Sequence, residues 1–212
     1  MSGILGRKIG MTVNFGVDGE MQAVTVIQAG PCKVLEQRTQ EKHSYQAAVI
    51  GFEEVEGSRM KKKPRLGFFK KLGTPVYRVV REFRGLEVEP GTDIRVDQFA
   101  AGDRLTITGI SRGKGWASAI KRWNFSRGRE THGGNFNRAI GSCGMKEFPA
   151  RTIKGKKMSG RMGSDKITQK SVEVVEILPE DNLLIVRGPV VGGENALLKI
   201  TKSGGSKTKT AA

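Results

Sequence analysis

Few side chains in this 212-residue sequence have the chemistry of a catalyst: Cys32 and Cys143, His43 and His132, and scattered hydroxyls and carboxylates. Ser142-Cys143 with His132 upstream supplies a nucleophile and a base on paper. The orienting third group would have to come from Glu130 or Glu147, and nothing in their spacing recommends it. The two cysteines are far apart and form no CxxC pair, so free thiols are expected rather than a bridge. Zinc sites favour paired ligands about two to four residues apart, and these four soft ligands stand singly. Gly155-Lys156-Lys157 and Gly113-Lys114-Gly115 lack the Ser or Thr and the upstream glycine of a phosphate-binding loop. His132, beside Gly133-Gly134, reads as a backbone-positioning or polyanion-contacting residue. No enzyme activity, metal, cofactor or small-molecule substrate is expected.

The abundant chemistry is cationic. The formal charge is +16, from 37 Lys and Arg against 21 Asp and Glu, and the isoelectric point is near 10.2. A polyanionic partner follows from that imbalance. Its distribution is uneven: residues 1–110 carry a net +4, residues 164–212 a net +1, and residues 111–163 a net +11. A membrane surface is a poor fit, because the sequence has no amphipathic basic helix, lipidation signal or apolar run long enough to span a bilayer. MSGILGRKIGM lacks the apolar core of a secretory signal, and a cytoplasmic protein is expected.

The flanks of the cationic segment supply what must position it. MQAVTVIQAG, CKVLEQRT, YQAAVIGFE, RLTITGIS, SVEVVEIL and NLLIVRGPVV are short, rich in Val, Ile and Thr, and divided by Gly, Pro or Asp-Asn, the pattern of an all-β barrel or sandwich. Val17-Asp18-Gly19-Glu20 and Pro179-Glu180-Asp181-Asn182 read as turns, the second inside a hairpin. SRMKKKPRLGFFKKLGT predicts a short basic helix, although Lys61-Lys62-Lys63 reads equally well as a solvated face. VYRVVREFR then predicts a strand. The division expected is a globular β-barrel domain over 1–110 and 164–205, with a small α+β elaboration at 57–100, an inserted arm at 111–163 and a flexible tail at 206–212.

From Gly109 onward neither periodicity persists, apart from a turn or two of helix allowed at Ala117 to Trp123. So few aliphatic residues cannot offset the ordering entropy, and in isolation the segment is expected to be mobile. An irregular stretch of this length inside a domain calls for a functional reason, and RNA supplies one. Arg112, Lys114, Lys121, Arg122, Arg127, Arg129, Arg138, Lys146, Arg151, Lys154, Lys156, Lys157 and Arg161 can neutralise phosphates, the arginines with planar bidentate contacts. Trp116, Trp123, Phe125, Phe136 and His132 offer stacking faces. Asn124, Asn135, Ser142 and Met145 complete the expected contact set. The ten glycines of the segment let backbone approach phosphate closely. For Trp116 and Trp123 a place in the core at one end of the barrel stands as an equal reading.

The segments GILGRKIGMT, ISRGKGWASAIKRWNF, ETHGG and FPARTIKGKKMSGRMG, in this order and spacing, resemble the bacterial-type large-subunit ribosomal protein L three family. The resemblance implies a translation-factor-like closed β-barrel and direct binding to large-subunit rRNA. It also implies early assembly near the RNA's three-prime end, contacts with neighbouring ribosomal proteins, and an arm reaching toward the peptidyl transferase centre. Ser111 to Trp123 would be the arm's root and Asn135 to Arg151 its tip, with Lys154 to Arg161 running back along the RNA. Where bacterial relatives carry a glutamine methylated on its amide, this chain reads Gly141-Ser142-Cys143-Gly144-Met145, so that modification is expected to be absent. A transient translation or assembly factor and an enzyme acting on RNA are the competing functions.

Overall fold

Alternating Val, Ile and Thr place every second side chain on one face of an extended strand, and that period organises most of the computed structural model, which describes residues 2–16, 19–56 and 62–203. In chain order the first elements are β1 (Gly3–Phe15), β2 (Met21–Ala29), β3 (Cys32–Arg38), α1 (Gln40–His43), β4 (Ala47–Glu54) and α2 (Lys63–Leu72). Then come β5 (Tyr77–Arg84), β6 (Asp93–Ile94), a 3-10 turn (Val96–Gln98), β7 (Arg104–Ile110), β8 (Trp116–Ala117) and α3 (Ala119–Trp123). The last are β9 (Gly160–Arg161), β10 (Lys166–Leu178), β11 (Leu183–Arg187) and β12 (Leu197–Lys202). The protein is mainly β with few helices.

Six strands pair antiparallel in a ring, β1-β12-β7-β10-β11-β2, and β2 returns to β1. Leu105 and Ile107 of β7, Leu184 and Val186 of β11, and Leu198 and Ile200 of β12 point inward and are fully buried. The long strands β1 and β10 carry register shifts at Lys8/Gly10, Gln169/Val172 and Val174/Glu176, the irregularities that bend a strand around a closed sheet. The β10–β11 hairpin turns at Pro179–Asn182, with Asn182 at φ 54 and its N–H donating to Pro179 O (3.2 Å).

The second sheet has the order β5-β4-β3-β6. Val34, Ala48, Ile50, Phe52 and Phe83 from it join the ring's inward residues in one hydrophobic cluster. Helix α2 begins at Lys63-Pro64, where proline's missing N–H costs nothing, and ends on Gly73 at φ 64. It buries Phe69 against Leu35, Val49 and Tyr77. β3 and β4 pair outside the ring, so the second sheet begins at Cys32, ahead of the 57–100 span expected for the elaboration. Alternation marks a strand but not the neighbour it will choose. The N-terminal strand β1 was not legible as one, and its reason is tertiary: Lys8 lies buried with Nζ donating to Val190 O (2.8 Å). Residues 17–18 of the expected first turn, 57–61 of the expected basic helix, and the tail lie outside the described residues.

The chain divides into two compact units, one of residues up to 110 together with those from 166, the other Ser111–Asp165. Ile110 and Lys166 are register partners on the neighbouring strands β7 and β10. The ring therefore holds the two ends of the insertion side by side, and the entropy of closing even a long loop there grows only slowly with its length.

Candidate nucleic-acid interface

The unit Ser111–Asp165 is built almost without a core. Among its residues only Ala117, Ala119 and Gly160 are buried, and 13 Lys and Arg stand against three Asp and Glu. Backbone hydrogen bonds order its root. Ser111 N–H donates to Asp165 O (2.9 Å), Ser164 N–H to Ser111 O (3.1 Å), Lys114 N–H to Met162 O (2.9 Å) and Met162 N–H to Gly115 O (3.0 Å). β8 then pairs with β9, Trp116 opposite Arg161 and Ala117 opposite Gly160. Gly163, at φ 78, allows this approach, since a Cβ there would collide with Arg112 O. The unit thus extends to Asp165, two residues past the expected limit at 163, because Ser164 and Asp165 still bond to Ser111.

Helix α3 follows Ser118 and stops at Asn124, whose left-handed φ of 57 is a conformation asparagine tolerates. Beside it the returning chain is fastened through one carbonyl: Met158 O accepts from Trp123 Nε1–H (2.9 Å) and from Arg122 Nη1 (3.2 Å). The Arg122 guanidinium lies 4.9 Å from the Trp123 ring centroid and Lys157 Nζ 5.6 Å. Trp123 is 38% exposed with its indole N–H engaged and two cations near its ring, while Trp116 is 75% exposed.

Farther along, Gly128 N–H donates to Asn137 O (2.9 Å), and a Cβ on Gly128 would meet Phe136 O at 2.5 Å. This pinch closes a turn containing His132 at φ 57 and an ion pair between Arg127 and Glu130. Arg138 Nη2 donates to Ser118 Oγ (3.2 Å). Residues 139–157 follow an irregular path of bends with few turns, beside a shallow cleft of about 320 Å³ that includes Ser142, Cys143, Met145, Arg151 and Lys156. Phe136, Met145, Phe148 and Ile153 are exposed there and nearby.

Every one of the expected cationic contacts is exposed except Arg122, which is partly buried. Arg112, Lys114, Lys121, Arg129, Lys146, Arg151, Lys154, Lys156 and Arg161 form no ion pair or side-chain hydrogen bond with the described residues. Asn135, Ser142, Met145 and His132 are exposed as well. The groups weighed for catalysis are not joined: Ser142 Oγ donates to Gly144 O (3.0 Å) and Cys143 Sγ contacts Gly141 O (3.8 Å), while Glu130 is held by Arg127. Among the described residues no cluster of three His, Cys, Asp or Glu could hold a metal, and no helix is long and apolar enough to cross a membrane. Cys32 lies in the other unit's core, its thiol pushed up to about 12 by burial. Ser118 went unread, although its place before AIKRW is a helix N-cap signal. The Met158 carbonyl had no sequence signal at all.

A β-ring whose adjacent strands carry a core-poor, cation-rich insertion defines the class of scaffold that holds a polyanion. Similarity to known proteins makes the class particular. The family model described as ribosomal protein L3 matches residues 20–181. The chain is 44% identical over 204 residues to the large ribosomal subunit protein uL3 of Desulforapulum autotrophicum, covering 95% of this chain and 98% of that one. It is also 44% identical over 205 residues to the uL3 of Syntrophotalea carbinolica, covering 95% and 97%. The chain belongs to the ribosomal protein L3 family.

Proposed function

We propose that this chain is a structural constituent of the large ribosomal subunit, binding rRNA directly through Ser111–Asp165. In this reading the strand ring is a translation-factor-like closed barrel seated among neighbouring ribosomal proteins. The insertion is an arm that extends toward the peptidyl transferase centre, and the protein joins early, near the rRNA's three-prime end, in the cytoplasm. The observation that carries the reading is the insertion's set of exposed, unpaired cations on a backbone nearly lacking a core. Such a segment, ordered by its own main-chain bonds but lacking a core, gains further stability by exchanging counterions on phosphate for its own charges. If about half of the 13 cations contact phosphate, affinity falls on the order of a thousandfold between about 50 and 200 mM salt.

Sedimentation of salt-washed large subunits tests the assignment. A constituent stays with the particle, whereas a transient translation or assembly factor is released into the supernatant. At the tip, Met145 has no side-chain amide, so intact-mass analysis is expected to show no methyl group at this residue. Its thioether remains able to fill an apolar gap against bases.

A further inference from the structure

The globular unit is close to charge-balanced along its sequence, yet its fold draws several cations into one place. A groove of about 650 Å³ runs between the edge strand β5 and the outer face of β12, β7 and β10. Arg81 of β5, Lys166 of β10 and Lys199 of β12 stand around it, with Thr108, Ile110 and Leu197 on its floor. Register explains the convergence: Lys199 is opposite Thr108, Thr108 opposite Thr168, and Lys166 opposite Ile110. These residues therefore share the face turned away from the core, and Thr108 and Thr168 join hydroxyls at 3.0 Å.

The groove's carboxylate leaves this charge largely uncompensated. Glu82 is engaged by Arg38 at 2.9 Å and by the Tyr45 hydroxyl, which donates to it at 3.1 Å. Lys199 lies over the Phe83 ring (4.3 Å) and donates to Glu82 O (2.6 Å), a single bond for an ammonium with three N–H donors. Burial holds its pKa below the usual lysine value, and the charges of Lys166, Arg84 and Arg81 lower it further against the opposing pull of Glu82. An incoming anion would relieve that repulsion.

We propose that this groove is a second RNA site, in which Arg81, Lys166 and Lys199 bind phosphates of the RNA backbone. The inference rests on the rRNA-binding reading above and adds to it a site outside the insertion. RNA is favoured by charge complementarity within the groove itself. Its carboxylate is already held by Arg38 and the Tyr45 hydroxyl, so Arg81, Lys166 and Lys199 present a row of cations on an extended cleft, which suits the repeating phosphates of an RNA backbone.

The test uses the full chain, insertion intact, with in vitro transcribed large-subunit rRNA. Arg81→Gln with Lys166→Gln removes two exposed charges and leaves the core alone. The slope of log affinity against log salt is expected to shrink by about one for each phosphate-binding cation removed, and affinity near 0.1 M salt to fall about tenfold for each. Lys199→Gln should weaken binding likewise, and Lys199→Arg should restore it, which loss of folding would not allow. Lys42→Gln with Lys70→Gln, a charge-matched pair on α1 and α2, should leave the slope nearly unchanged. An unaltered slope in the groove variants, or an equal loss in the control pair, overturns the proposal, as does weakened binding of polyglutamate with RNA binding intact. Because Lys154, Lys156 and Lys157 are untouched, a failure confined to the groove leaves the insertion's role standing. Failure of insertion variants as well would remove both.

Discussion

The two units of this chain solve the problem of order in opposite ways. In the ring and its companion sheet, strands from distant parts of the sequence bury Ile, Leu, Val and Phe in one continuous cluster, and order comes from apolar area withdrawn from water. In Ser111–Asp165, three small residues are buried, and order comes from main-chain pairing at the root, close backbone approaches that only glycine allows at Gly128, Gly134 and Gly163, and one shared carbonyl. The first unit is a structure that has a surface. The second is nearly all surface, and most of its cationic side chains stand open to a partner.

The strongest way to break this contrast is to delete the far part of the insertion. Replacing Ser126–Arg151 by a short Gly-Ser linker removes five cations and is expected to lower rRNA affinity about a hundredfold or more near 0.1 M salt. Thermal unfolding of the remaining protein should keep its midpoint, since Ile110 and Lys166 stay paired, and collapse of the variant would contradict the division. Next in size, Lys154→Gln, Lys156→Gln and Lys157→Gln together should shrink the salt slope by up to about three. Weaker binding with an unchanged slope would show that these lysines do not contact phosphate.

Side-chain truncation sharpens the comparison within the fold itself. Ile107→Ala, at a fully buried position, should cost about 2–5 kcal/mol in urea unfolding. Phe148→Ala in the insertion, where the ring is 86% exposed, should change stability by less than about 0.5 kcal/mol. The smallest effect concerns paired charge. Arg7 Nη2 donates to Glu53 Oε2 at 2.9 Å, and this bond, helped by the Arg7 and Arg78 charges and opposed by burial, holds the Glu53 carboxyl below its ordinary value of 4.5. A depressed carboxyl stabilises the fold above its unfolded pKa and loses that contribution as pH falls through the folded value. Glu53→Gln should therefore cost about 1 kcal/mol near neutral pH, after solvent screening, and the gap from wild type should close below pH 4.5. Arg129→Gln, in the insertion, should show no such pH-dependent gap.

Legibility in the sequence followed the same division. Strands with clean alternation, such as Met21–Ala29, Arg104–Ile110 and Leu183–Arg187, showed themselves, as did the hairpin at Pro179–Asn182. β1 did not, because Gly3, Gly6, Gly10, Arg7 and Lys8 interrupt its apolar period. Lys8 is accommodated by carbonyls far along the chain, and Gly6 by a backbone so close that a Cβ would stand 2.7 Å from Gln28 O. The two tryptophans had two open readings, and the structure exposes Trp116 while engaging Trp123 between Arg122, Lys157 and the Met158 carbonyl.

By itself the sequence determined where charge and glycine concentrate and where β periodicity stops and resumes, because composition and alternation are properties of neighbouring residues. It also placed the cation-rich segment inside the chain, between strands. Only the tertiary structure decided that β3 and β4 leave the ring for a second sheet, that the insertion's ends lie on paired strands, and that Arg81, Lys166 and Lys199 converge. Convergence depends on register between strands far apart in sequence, and register is set by which faces bury together in the core.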